Sequence, residues 1–411
     1  MHTNLLLETL IAGVLQEISK QGLCDELNCQ YRRIYNRFKK FAKCRNQDSY
    51  TTNLADSFLE DINRRFEIGV IGRCRRNHLR RASLLLKEYV ETGTIEWKVY
   101  SVGLQPMPSS PEFFLLYSQF IDNLKSLGRS DNTIQSARNL IRQFLLFLED
   151  NGCRTLSMTP LNMIPSFFQH LLSTYKPTSI RTVASHIRTF LSFTEERERL
   201  MPLVPLNCVR NKPIIPVLSD KEHDLLKIAL QSKKLLLRDK AIIKLALRTG
   251  LRAVDILGIK LEDIDWVNDS ISIVQSKTKN PFTIPLTADV GNVLSAYILN
   301  ERPQKDTSYV FLRSRAPFRP LSGHAACYAI LRNVFHQAGI RLGDERKGLH
   351  ILRHSAASRM LSKGIPVTTI SSMLGHSSKE STDVYLATDE KHMRECSLSL
   401  TMIPMNCRGL K

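Results

Sequence analysis

One stretch, SISIVQSKTKNPFTIPL at residues 270–286, departs from the hydrophobic period of the rest of the chain. Apolar residues alternate with others on both sides of a Lys/Asn/Pro turn. A two-residue period puts alternate side chains on one face of a strand, so the segment reads as a β-hairpin. Elsewhere apolar residues recur at helical spacing. The expected fold is therefore mostly α and multidomain, with one small antiparallel sheet in its last third.

The 411 residues are enough for two or three domains. Two Pro-rich stretches mark the divisions: VGLQPMPSSPEF near residue 105, and MPLVPLNCVRNKPIIPVL from 201. In the first block, YRRIYNRFKKFAK places Tyr31, Ile34, Tyr35, Phe38 and Phe41 on one helical face, and HLRRASLLLKEYV does so with Leu79, Leu85, Leu86 and Tyr89. The second block, 110–200, reads as four helices, one capped by Ser130 or Asp131 and closed by Gly152. A weak internal echo makes the two blocks candidates for duplicated four-helix modules. The third opens on SDKE, a capping box of Ser219 and Glu222.

Charge narrows the partner. There are 58 Lys plus Arg against 39 Asp plus Glu, a net charge of +19. Such an excess suits a polyanion, with nucleic acid favoured over a membrane surface. The apolar runs are short and broken by Lys and Arg, so no membrane span is expected. The first residues lack a basic signal-peptide start. The nine cysteines are scattered without C-x-x-C pairs or zinc-site spacing, and read as reduced thiols of a cytoplasmic protein.

Four polar stretches of the third block carry candidate chemistry. In RTGLRAVDILGIK, Gly250 ends one helix, Arg252 begins the next, and Asp255 lies one turn on; alone, the last two read as a surface ion pair. In QSKTKNPF, Lys277 and Lys279 sit near the hairpin tip and, by strand alternation, point to the same face. In GLHILRHSAAS, His350 and Arg353 are three apart on a helix, with His354 assigned to another face. In LGHSSKESTDVYLATDEK, Gly375 closes a short helix, His376 follows it, and Tyr385 lies on the next helix. LEDID at 261–265 is acidic but reads as a turn rather than a metal site.

Taken in order, TGLR, the hairpin lysine, H-x-x-R, LGH and a tyrosine nine residues later resemble the tyrosine recombinase (phage integrase) family, which includes lambda integrase, Cre and the Xer proteins. The resemblance covers about 215–390. It implies a helical core-binding (SAM-like) DNA domain at 110–200, a linker at 201–217, a mixed α/β catalytic domain at 218–392 and a tail at 393–411. Residues 1–105 form a helical extension where some relatives carry an extra DNA-binding module. The resemblance implies a site-specific recombinase or integrase acting on double-stranded DNA through a 3′-phosphotyrosyl intermediate, in the service of a mobile element. It also implies a homotetramer on synapsed DNA, accessory DNA-bending proteins, a tail that docks through Leu398, Leu400 and Ile403, and no cofactor or metal.

The chemistry asks for these residue types. Two guanidiniums, Arg252 and Arg353, can clamp the phosphate and stabilise charge in the transition state. Tyr385 is the expected nucleophile and His350 its proton acceptor or a phosphate donor. Lys277 is the expected general acid, with Lys279 as competitor. His376 would bind the phosphate or position the tyrosine, and Asp255 would orient Arg252 or His350. A type IB topoisomerase-like enzyme and a catalytically inactive DNA-binding relative remain as alternatives.

Overall fold

The computed structural model describes residues 6–97, 106–206, 216–343, 345 and 347–375. The chain divides into two compact units. One is Ser101–Pro213; the other joins Met1–Tyr100 to Ile214–Lys411.

The unit Ser101–Pro213 holds α5 (Pro111–Ser126), α6 (Asp131–Asp150), α7 (Met163–Leu172), α8 (Pro177–Leu191) and the short α9 (Arg197–Leu200), the numbering following chain order. Ser130 is the N-cap of α6, its hydroxyl accepting from the Thr133 N–H. Phe113, Phe120, Phe144, Phe167 and Phe190 are completely or almost completely buried at the centre. Arg188 of α8 donates to the carbonyls of Val204 and Pro205, anchoring the chain where it leaves the bundle.

In the other unit, four helices come first: α1 (Leu7–Ser19), α2 (Asp25–Lys43), α3 (Thr52–Glu67) and α4 (Arg73–Thr92). Tyr31, Ile34, Tyr35 and Phe38 of α2 pack with Leu79, Leu85 and Leu86 of α4 in one core, as the helical spacing requires. This bundle rests on the C-terminal segment of the same unit. Arg319 donates to the Glu96 carbonyl at 3.0 Å, and Ala316 packs against the bundle's core.

The C-terminal segment contains α10 (Asp220–Gln231), α11 (Leu237–Thr249), α12 (Ala253–Leu257), β1 (Ile264–Asp265), β2 (Ser270–Val274), β3 (Pro281–Pro285), α13 (Ala288–Asn300), α14 (His324–Ala338), α15 (His350–Ser362) and α16 (Val367–Leu374). The capping box of Ser219 and Glu222 opens α10. The hairpin is present, Ile271 facing Ile284 and Ile273 facing Phe282 across an antiparallel pair. A third strand completes the sheet in the order β1-β2-β3. It comes from LEDID, read above as a turn: a short 3-10 turn at Leu261–Asp263 runs into β1, where Ile264 pairs with Ile271. Two residues are too few to carry a periodic signal. Helix α11 is the hub, packing against α12, α13, α14 and α15. The fold is mostly helical with one small antiparallel sheet.

Candidate active site

The site grows from two helix ends. Gly250 closes α11 in the left-handed conformation, φ 64°, and Gly375 closes α16 at φ 61°. Both positions favour glycine because a Cβ is strained there. They are also crowded. A Cβ on Gly250 would come 2.8 Å from Leu374 Cδ2, and one on Gly375 would overlap the Gln275 side-chain amide. The end of α16 thus touches both the end of α11 and the hairpin turn.

The two expected arginines converge on that junction. Arg252, the N-cap of α12, donates from Nη2 to the Gly375 carbonyl at 2.9 Å. Arg353, on α15 and 5% exposed, donates from Nη1 to the Gly250 carbonyl at 2.8 Å and from Nη2 to the Leu374 carbonyl at 2.7 Å. Cations suit helix C-termini, where carbonyls lack intrahelical partners. Sequence reasoning anticipated the arginines but missed these acceptors, because a backbone carbonyl has no signature in the sequence.

Arg252 has a donor to spare. Its Nη1 and Asp255 Oδ2 are buried and 4.0 Å apart, too far for a hydrogen bond. Neither atom has another partner among the described residues. Asp255 spends its other oxygen on the hairpin turn: Oδ1 accepts from the Ser276 N–H at 2.8 Å and from its hydroxyl at 2.6 Å. Gln275, 2% exposed, accepts from the Thr278 hydroxyl at 2.7 Å. Gln275 and Ser276 are thus structural members of the site that the sequence did not single out.

Lys277 and Lys279 are both exposed. The same-face argument for them fails. Strand β2 ends at Val274 and β3 begins at Pro281, so both lysines lie in the turn, and Lys279 has φ 59°. Strand alternation does not govern a turn. His350 is the exposed first residue of α15. His354 was expected on another face, but the two rings stack with centroids 6.3 Å apart. Residues four apart on a helix are neighbours. His376 and Tyr385, with the tail residues Leu398, Leu400 and Ile403, lie outside the described residues.

Among the described residues, no group of three or more His, Cys, Asp or Glu side chains is placed to hold a metal ion. No described helix is long and apolar enough to cross a membrane.

Comparison with known proteins identifies the family of the chain. The chain matches the phage integrase family over residues 217–392. The putative integrase/recombinase y4rA of Sinorhizobium fredii is 30% identical over 288 residues, which is 69% of this chain and 69% of that protein. The chain belongs to the phage integrase family. This tyrosine recombinase is also 27% identical over 281 residues to tyrosine recombinase XerA of Pyrococcus furiosus, covering 67% of this chain and 91% of XerA. Its fold matches that of XerH, a site-specific recombinase solved on a palindromic difH substrate, with a TM-score of 0.56 and 16% identity, covering 73% of this chain and 98% of that one. It also matches a lambda integrase dimer on a core site, with a TM-score of 0.53 and 18% identity, covering 67% and 95% of the two chains. As a family member it is an enzyme of the tyrosine-type site-specific DNA recombinases.

Proposed function

We propose that this recombinase cleaves and rejoins double-stranded DNA through a 3′-phosphotyrosyl intermediate and serves a mobile element. The observation that carries the strand chemistry is the convergence of Arg252 and Arg353 on the carbonyls of Gly375 and Leu374, next in the chain to His376. In this reading the buried Arg252 Nη1 donor meets a non-bridging phosphate oxygen, with Arg353 beside it. Charge accumulating on the phosphoryl group in the transition state is then stabilised by donors already in place.

The steps balance without a cofactor. The Tyr385 oxygen attacks phosphorus while its proton passes to His350. The bond from phosphorus to the 5′ oxygen breaks, and that oxygen takes a proton from Lys277. The products are a 3′-phosphotyrosyl enzyme and a free 5′-hydroxyl. Attack by a 5′-hydroxyl of a partner strand reverses the steps and frees the tyrosine. His376 holds the phosphate or the tyrosine in place.

The mobile-element role is supported by similar proteins, among them an integrase of transposon Tn1549 solved with transposon right end DNA. Work on paired sites calls for a homotetramer on synapsed DNA, accessory DNA-bending proteins and a cytoplasmic location, and these belong to the proposal.

A nicked suicide duplex tests the chemistry. Wild type should accumulate covalent protein–DNA adduct, and Tyr385→Phe should bind the duplex without forming one. An adduct from Tyr385→Phe would remove Tyr385 as nucleophile. Products from paired sites separate strand exchange from mere relaxation of supercoils.

A further inference from the structure

The N-terminal bundle lies outside the family match, and its charges are unevenly distributed. Some basic side chains of the bundle meet carboxylates: Lys20 pairs with Glu17, Lys39 with Glu8 and Lys87 with Asp56. Between α2 and α4 they do not. A groove of about 240 Å³ runs there, lined by Arg33 and Arg37 of α2 and Arg75 and His78 of α4. Its one lining carboxylate among the described residues is Glu26, at the start of α2. The three arginines make no ion pair among the described residues. Nearby Asp61 is already taken by Arg64 and Arg65. Gln30 bridges the groove to His78 Nδ1 at 2.8 Å.

Two features make this arrangement unfavourable for the protein by itself. Burial, then the like charges of Arg65 and Arg75, hold Arg37 below the ordinary guanidinium range. The first turn of α4 carries Arg73, Arg75 and Arg76, no acidic residue and no side-chain cap on Gly72, although the positive end of the helix dipole lies there. A polyanion in the groove relieves both, since it screens the arginines and brings negative charge to the first turn of α4, where Arg75 lies. Arg33 and Arg37 are one helical turn apart on the same face, and Arg75 reaches in from the opposite wall. Guanidiniums on two walls suit successive phosphates of a nucleic-acid backbone better than one small anion.

We infer that the groove between α2 and α4 binds the phosphate backbone of duplex DNA, giving the enzyme a second, sequence-independent contact away from the residues that would act on the strand. This rests on the reading of DNA as substrate.

The test is the salt dependence of binding by the full-length protein to a long duplex of unrelated sequence. Each lost phosphate contact removes about 0.9 from the slope of log affinity against log salt. The triple variant Arg33→Gln, Arg37→Gln, Arg75→Gln should therefore lose about 2.7 of that slope and bind at least about tenfold more weakly at low salt. The corresponding Lys triple should keep most of both. A Gln triple that matches wild type in slope and affinity overturns the inference, as does a Lys triple that loses as much as the Gln triple. The single changes Arg33→Gln and Arg75→Gln, at exposed positions, should each lose about 0.9 of slope, which guards against misfolding of the triple. Covalent trapping on the nicked duplex reads the phosphotyrosyl proposal separately, so the two can fail independently.

Discussion

Asp255 and Ser276 are joined twice: Oδ1 of the aspartate accepts both the backbone N–H and the hydroxyl of the serine. Asp255 is 5% exposed and lies one helical turn from Arg252, while Ser276 immediately precedes Lys277. The pair therefore fixes the lysine-bearing turn to the helix that begins at the arginine. A hydrogen bond to a charged group contributes about 1.5–3 kcal/mol. Ser276→Ala removes one of the two and should slow adduct formation about tenfold with DNA affinity unchanged. Asp255→Ala removes both and should slow it about a hundredfold or more, with a lower melting temperature. Single-turnover trapping on the nicked duplex and a thermal melt measure these effects. A Ser276→Ala enzyme as fast as wild type would show that the turn is held by other means.

Sequence pattern disclosed the helices, the capping box at Ser219, the hairpin, and the glycines that end α11 and α16. These features rest on local chemistry that the sequence states outright. What it concealed is long-range or aperiodic. Strand β1 has only Ile264 and Asp265. Arg353 spends its donors on the carbonyls of Gly250 and Leu374, far away in the chain. Asp255 was assigned to Arg252 or His350, yet its hydrogen bonds go to Ser276, which only the folded sheet brings near. The lysines misled for a related reason: the alternation of β2 ends one residue before Gln275, so it has no authority over Lys277 and Lys279.

Gly375 is constrained by backbone and by contact. Its φ of 61° disfavours any Cβ, by about 1–2 kcal/mol. The same Cβ would overlap the Gln275 amide. Gly375→Ala should therefore destabilise the enzyme by about 2 kcal/mol or more and suppress adduct formation. Adding Gln275→Ala relieves the contact but leaves the backbone strain, so the double variant should recover only part of the stability. Denaturant unfolding of both singles and the double closes the cycle. Strict additivity would mean that the side chain of Gln275 does not press on Gly375.

The choice between Lys277 and Lys279 as general acid can be made by chemistry. A 5′ oxygen needs a proton to leave; a sulfur in the same bridging position leaves readily as a thiolate. Replacing the true acid by Ala should cost about 10²–10⁴ in cleavage of the normal duplex. On the sulfur-bridged duplex that loss should largely vanish. Lys277→Ala should show this rescue, and Lys279→Ala should lose little on either substrate. Arg353→Ala should be slow on both, because its donors hold the site together whatever the leaving group. Rescue of Lys279→Ala instead would move the assignment two residues along the turn.

His223 should make the stability of this enzyme depend on pH just below neutrality. It is 6% exposed on α10, and Arg359 Nη1 of α15 lies 2.8 Å from its Nε2. A guanidinium N–H can donate to the ring only while that nitrogen is unprotonated. Burial, then Arg359 and Lys227, hold the imidazole pKa below its ordinary value against the opposing pull of Asp224 and Asp220. Lys244 and Arg248 of α11 and Asp289 of α13 line the same cleft, and both cations already pair with Asp289. The unfolded chain therefore takes up this proton near the ordinary histidine pKa while the folded chain does not. Stability is fully present above about pH 6.5 and falls as pH drops through the folded value, by at most about 1.4 kcal/mol per pH unit. His223→Gln removes the titration. Its unfolding free energy should decline less than that of wild type between neutrality and mild acid, while above about pH 7 the two profiles should run parallel. If wild type and variant decline together through that window, the histidine is not buried in its neutral form.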